Sequence, residues 1–419
     1  MMLDAGRLER LAAEFGTPMY VYDLAEVRRA HADLRAAVPR GTDVFYSLKA
    51  NPHPGVVREL VRAGVRAEVC SQRELDIALA AGADAAACLY TGPGKTSAEL
   101  DHALAAGVRR FSVDSPTDLA RLAVRARRTR MPAEAVLRLN PVGYPRNAGL
   151  AMGGTNSQFG ADVAWVCAEP DRFRADGVEL VGYHVYIGSN ITDVDQLTSW
   201  FEAGLDAARQ AQKALGAAVR LIDLGGGFGH PYARSGERPL LAGLAERLAA
   251  LLDEHLGSGE LGEPTVAFES GRYLACAAGS LLLGVQDVKS SHGVRYVVAD
   301  GGINVLGGMQ GLRRIPPIMA DILPLAGVDD AAAPGATVLA GPLCTALDIL
   351  NVKAALPAVA PGDVLVVPNV GAYGLTASLL GFLGRGAPVE VAVDGRRTVS
   401  ALRLQLGYAE AAPLGPAGG

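Results

Sequence analysis

No stretch of this 419-residue chain reaches the roughly 18 uninterrupted apolar residues that a membrane-crossing helix needs, which excludes a helical span. A basic block is also lacking. Lys and Arg number 39 against 44 Asp and Glu, a formal net charge of -5 with a pI near 5.9, so nucleic acid and anionic membrane surfaces find no electrostatic footprint. Cysteine is scarce: Cys70, Cys88, Cys167, Cys276 and Cys344 stand apart, none paired at metal-ligand spacing, a usage that fits a reducing cytosol and offers no zinc site. The opening MMLDAGRLERLAAEFG is amphipathic at helical period and lacks the apolar centre of a signal peptide, so a cytoplasmic protein is expected. Core material, by contrast, is plentiful: 50% of residues are hydrophobic and 20% charged, and the length suits one large domain plus a smaller one. The 51 glycines and 24 prolines point to a GC-rich genome and carry no function.

After an N-terminal helix and the strand-like TPMYVYDL, apolar runs and helical windows alternate. Strands are expected at 43–48, 66–70, 87–91, 110–113, 135–139, 182–187 and 221–224, with helices between most of them. So many strand–helix repeats predict an α/β fold with a closed (β/α)8 TIM-type barrel, its chemistry just beyond the strand C-termini. Past about residue 271 the rhythm changes to strands separated by turns (SLLLGVQDVKSS, VRYVVADGG, TVLAGPLC, DVLVVPN, PVEVAVDG), which predicts a second, β-rich domain. The expected division is 1–24 contributing to the β domain, 25–271 barrel, 272–410 β domain and 411–419 disordered tail.

Four stretches carry chemistry. DVFYSLKAN delivers one lysine, Lys49, at the end of an apolar strand, where an amine must be paired or covalently used. Burial lowers a lysine's pKa, and the neutral amine can form a Schiff base; snorkelling to solvent is the alternative. LIDLGGGFGHPY sets Gly225, Gly226, Gly227 and Gly229 directly after a strand, either as a tight turn or as a cup of backbone amides for a phosphate. FESGRYL places Glu269 and Arg272 together, as a salt bridge or as one group for a ring nitrogen and one for a phosphate. AGPLCTALD presents Cys344 in a Gly-Pro turn before Asp348, as apolar filler or as a proton donor. His230 and Tyr232, just after the glycine loop, are read as surface residues, with substrate contact as the alternative.

FYSLKAN, SQREL, VLRLNP, HVYIGSN, GGGFG, ESGRYL, GPLCTALD and GAYG stand in the order and at the separations found in the fold-type III pyridoxal phosphate (PLP) decarboxylases, the diaminopimelate, ornithine and arginine decarboxylase group. The chain resembles that family from about Gly16 to Gly407. The resemblance implies an amino acid decarboxylase, PLP as cofactor, no metal, and a homodimer with active sites at the subunit interface. It matches Lys49 to the Schiff-base lysine and Glu269 to the partner of the pyridinium nitrogen. Ser189, Gly227, Arg272 and Tyr373 match phosphate contacts, with Gly226, Gly229 and Gly271 beside them, and Arg138 and Glu68 match a polar pair beneath the cofactor. Cys344 matches the cysteine that reaches in from the neighbouring subunit to protonate the carbanion.

Three positions depart from the family pattern. The stacking histidine is replaced by Tyr186, with His184 two residues earlier on the same strand face as a further cofactor contact. The acid that follows the cysteine and meets a distal ammonium is Thr345, so ordinary lysine, ornithine and meso-diaminopimelate are expected to be poor substrates. The arginine that meets diaminopimelate's distal carboxylate aligns with Gly308, leaving Arg313 or Arg314 nearby, in a stretch rich in glycine (Gly301, Gly302, Gly307, Gly308, Gly311). Thr345, Asp348 and Arg313 are the expected substrate contacts, with orientation of the cysteine turn as the other reading of Asp348. Decarboxylases of antibiotic pathways that act on an acidic amino acid tethered to a carrier protein are similar in these details, and such a substrate is the specific expectation. Diaminopimelate decarboxylase, a PLP racemase and an inactive PLP-binding regulatory homologue are the alternatives; GTNSQFG matches an SKFG segment of the family whose role stays open.

Overall fold

The computed structural model describes residues 4–141, 150–151, 156–307, 319–325 and 336–410. Arg313, Arg314, Gly308, Gly311 and the tail 411–419 lie outside the described residues. The chain opens with helix α1 (Ala5–Phe15) and strand β1 (Met19–Asp23). Eight parallel strands follow: β2 (Asp43–Ser47), β3 (Arg66–Val69), β4 (Leu89–Tyr90), β5 (Arg110–Val113), β6 (Ala133–Asn140), β7 (Val178–Val185), β8 (Leu221–Asp223) and β9 (Thr265–Ser270). Each pairs with the next, and β9 returns to β2 with Glu269 opposite Phe45, so the sheet closes into a barrel. Helix starts are written into the βα turns. Ser71 and Ser115 cap the helices Gln72–Ala80 and Pro116–Thr129, and Thr96 forms a reciprocal capping box with Glu99.

The barrel interior changes character within one step along its strands. Phe45, Leu89, Val136, Val181, Leu221 and Ala267, all buried, form a separate apolar cluster contributed by six of the strands. Alternate residues share a strand face, so Ser47, Arg138, Asp223 and Glu269 follow Phe45, Val136, Leu221 and Ala267 on the same side, two residues nearer the strand C-termini. One end of the barrel is therefore plugged with hydrocarbon and the other is polar, buried and open to chemistry.

Among the described residues the second sheet has nine strands. Its long member β10 (Gly279–Ser291) pairs antiparallel with β11 (Val294–Ala299) and with β1, while β1 also runs parallel to β12 (Val389–Asp394). β1 precedes the barrel in sequence yet sits inside this sheet, because its Met19 and Val21 pack into an apolar cluster with Leu282, Val366 and Val391. The same sheet carries the loop 368–374 to the barrel mouth: the Tyr373 amide donates to Ala50 O at 2.7 Å and Asn51 Nδ2 to Gly371 O at 2.7 Å.

Candidate active site

Lys49 lies in the single helical turn Leu48–Ala50 that follows β2. Its Nζ stands 3.4 Å from Glu68 Oε1 and 5.7 Å from the centroid of the Tyr186 ring. Glu68, at the end of β3, also accepts from Thr91 Oγ1 and from Cys70 Sγ at 3.2 Å. Burial pulls the Lys49 ammonium down, but the Glu68 carboxylate beside it outweighs that and holds the amine well above its ordinary value. Burial likewise pushes the Glu68 carboxyl up, and Lys49 with the Ser47, Thr91 and Cys70 hydrogen bonds takes it below the usual range. The expected neutral amine is thereby corrected: this site stores Lys49 as a cation until an aldehyde takes it.

Glu269 lies near the end of β9, on the strand next to β2, and is 1% exposed. His184 Nε2 approaches its Oε1 at 3.3 Å, and His184 Nδ1 pairs with Ser112 Oγ at 2.8 Å. Burial, then the cations Arg138, Lys49 and Lys95, keep the His184 imidazole neutral, and burial with the nearby Glu68 and Asp223 pushes the Glu269 carboxyl up. Arg138 spreads its guanidinium over the rings of Phe159 (4.8 Å) and Tyr186 (5.9 Å), which gives the GTNSQFG segment a role as a ring beneath that arginine. The Tyr186 phenol, raised by burial, stays uncharged.

Ser189, Gly227, Arg272 and Tyr373 line one small cavity. It adjoins a second cavity of about 390 Å³ lined by Lys49, Cys70, Thr91, Arg138 and Phe159, and the two share Tyr186, Ser189 and Tyr373. Arg272 stacks between Tyr373 (4.8 Å) and Tyr232 (5.6 Å), and its Nε is buried with no hydrogen-bond partner among the described residues, an N–H ready for an anion. Tyr232 is not a surface residue, since its hydroxyl donates to Tyr373 O at 2.8 Å. His230 is not one either: it is 1% exposed, packed where the glycine loop turns back under the sheet. A groove of about 710 Å³ beside Arg40 and Glu246 holds none of these groups.

The glycines serve close approach. At Gly226 a Cβ would sit 2.4 Å from Glu269 O, and at Gly229 2.7 Å from Ile191 O, so the loop lies flat against its neighbours. At Gly271 a Cβ would meet Ala50 Cβ at 2.7 Å, pressing directly on the turn that carries Lys49. Gly271→Ala is therefore expected to leave the fold intact but displace Lys49, weakening PLP binding by about tenfold, an overpacking penalty on the order of 1–3 kcal/mol. Cofactor titration with parallel thermal unfolding checks this.

Cys344 and Thr345 are not brought to this cavity within the chain; Cys344 is exposed on the turn 341–347. Asp348 is 2% exposed, and its carboxylate accepts the Ile303 amide at 2.8 Å and the Leu343 amide at 2.7 Å. Both its oxygens are engaged in fastening the cysteine turn to the 301–303 turn, in keeping with an orienting role for Asp348 and leaving neither oxygen for a substrate contact. Asp223, Cys70, Thr91, Phe159 and Ser112 were not singled out in the sequence. Only Asp223 left a signal there, two residues beyond Leu221 on an inward face.

An aldehyde cofactor with a cationic ring and a phosphate needs an amine, an acid near the ring nitrogen and a nest of anion donors. Lys49, Glu269 with its unsatisfied Oε1, and the Arg272–Gly227 cavity fit that demand. The pyridoxal-binding domain of the pyridoxal-dependent decarboxylases matches residues 24–276. The chain is 35% identical over 403 residues to a diaminopimelate decarboxylase of Pseudomonas aeruginosa, covering 93% of this chain and 91% of that one. It is 30% identical over 394 residues to the L-glutamyl-[BtrI acyl-carrier protein] decarboxylase of Niallia circulans, covering 93% and 92%. Among solved structures, the diaminopimelate decarboxylase of M. jannaschii in complex with L-lysine superposes with a TM-score of 0.82 at 27% identity, over 93% of this chain and 90% of that one. With the barrel, the lysine at its mouth and these likenesses together, the chain belongs to the pyridoxal-dependent decarboxylases, carboxy-lyases that work with pyridoxal 5'-phosphate.

Proposed function

We propose that this enzyme removes the α-carboxylate of an acidic amino acid carried as a thioester on a carrier protein, in the cytoplasm, as a homodimer whose active sites are shared. The sequence division into 1–24, 25–271 and 272–410 is proposed with it. The observation that carries the substrate assignment is Thr345: an uncharged residue follows Cys344, so a substrate with a free distal ammonium has no counter-charge there. A thioester-tethered acyl group has no distal ammonium to pair. The likeness to the glutamyl-carrier-protein decarboxylase supports the same substrate.

When bound, PLP supplies the electron sink for the pair left by the departing carboxylate. In this proposal Lys49 anchors it, with Glu68 holding the amine in place. Glu269 holds the ring nitrogen's proton, and Ser189, Gly227, Arg272 and Tyr373 bind the phosphate. Tyr186 stacks on the ring, and Cys344 Sγ of the partner subunit gives a proton to the reacting carbon. The shared site is supported by Cys344's exposure and by its setting. Arg385 ties the loop holding exposed Phe382 and Leu383 to Pro342 O at 3.2 Å, two residues before Cys344, and exposed Leu406 lines the same surface cavity as Arg385.

Free meso-diaminopimelate is the second candidate substrate, favoured by the 35% identity to the Pseudomonas aeruginosa enzyme. Mass spectrometry of carbon dioxide loss across free and carrier-bound amino acids tests the proposal. Aspartyl- or glutamyl-carrier protein is expected to exceed free diaminopimelate, ornithine and lysine in kcat/KM by about 10²-fold or more, the consequence of roughly 3 kcal/mol for an unpaired ammonium. Efficient turnover of free diaminopimelate with no action on acyl carriers overturns it.

A further inference from the structure

Asp223 ends β8 with 0% of its surface exposed. Its Oδ1 accepts the Gly225 amide at 2.8 Å, which accounts for half of the carboxylate. The other oxygen, Oδ2, is buried and joins Glu269 Oε1 and His184 Nε2 as polar atoms with no other hydrogen-bond partner among the described residues. These three side chains bring their ligand atoms within 4.8 Å of one another, and all three are sealed from solvent. Two carboxyl groups at that separation cannot both ionise cheaply, so they can satisfy each other only with a proton held among them. The surrounding charges are Lys49 and Arg138, which favour ionisation, and Glu68, which opposes it. His184 is neutral, tied on its far side to Ser112.

We infer that Asp223 is a positioning residue for the proton on Glu269: as a second buried carboxyl it shares one proton with Glu269, and the net negative charge of the pair favours the cationic form of the ring nitrogen of bound PLP. The inference rests on the proposed pairing of Glu269 with that nitrogen. On binding, a proton passes from Glu269 Oε to the ring nitrogen; no electron moves, and no other bond to hydrogen breaks. A purely structural Asp223 would do no more than hold the Gly225 amide, a task that asparagine can take over.

The test uses full-length protein loaded with PLP carrying ¹⁵N in its ring, reading the nitrogen resonance and the cofactor's dissociation constant. Asp223→Asn is expected to move the resonance toward that of unprotonated pyridine and to weaken binding about tenfold, the equivalent of one pKa unit. Asp223→Ser, which also keeps an acceptor for Gly225, gives the same reading if the asparagine variant does not fold. Wild-type resonance and affinity in the Asp223 variants, with both lost in Glu269→Gln, overturn the inference and leave the Glu269 assignment standing. An unchanged resonance in Glu269→Gln removes both. On unmodified protein, the infrared difference between cofactor-free and loaded forms is expected to contain a protonated-carboxyl stretch that vanishes on loading; its absence from both forms also overturns the inference.

Discussion

Replacing Lys49 by alanine is expected to lower decarboxylation by roughly 10⁴-fold or more, equivalent to about 5.5 kcal/mol of lost transition-state stabilisation, and to abolish the visible absorption of the bound cofactor. The size of the effect follows from the lack of a substitute. Lys95 also lines the cavity, but its Nζ is fully engaged with Asp118 at 2.7 Å, Gly92 O at 2.6 Å and Ser112 O at 2.7 Å. Freeing that amine would leave the Asp118 carboxylate buried without its partner, a loss on the order of 3–5 kcal/mol. Carbon dioxide release and an absorption spectrum on the purified variant check the expectation. Retention of colour and of more than a hundredth of the activity would place the covalent anchor elsewhere.

The second large effect concerns Cys344. Cys344→Ala is expected to lower kcat by about 10²–10⁴-fold, the usual yield of a positioned proton donor, with little change in cofactor affinity. The sharper expectation comes from mixing the two inactive variants. If Cys344 serves the partner's cavity, co-refolded Lys49→Ala and Cys344→Ala chains form mixed dimers with one intact site, restoring about a quarter of wild-type activity at random pairing. No restoration means that each chain completes its own site, which the exposure of Cys344 and its absence from the described lining of the Lys49 cavity argue against.

The barrel was legible because its strands are short apolar runs with polar residues at fixed spacing, and a lysine at the end of such a run is conspicuous. The second sheet announced itself in SLLLGVQDVKSS and PVEVAVDG, where turns replace helices. What stayed hidden depends on strand pairing. Only when β8 takes its place between β7 and β9 do Glu269, His184 and Asp223 converge, and nothing along the sequence reports that distance. The direction of the Lys49 shift is hidden for the same reason, because burial alone predicts a fall and Glu68, 19 residues away, reverses it. Tyr232 looked like a surface residue in GHPY because the loop it packs under comes 141 residues later. Asp348 beside a candidate catalytic cysteine suggested either a substrate contact or an orienter of the cysteine turn, and its oxygens answer two backbone amides that only the folded turns bring together.

The most direct test of the central claim, covalent capture of the cofactor by Lys49, is to load the protein with PLP, reduce it with borohydride, digest it and locate the added pyridoxyl mass. The expected result is one modification per chain, on the peptide containing Lys49. The mass on Lys95 or any other lysine, or no stable modification at all, would contradict it.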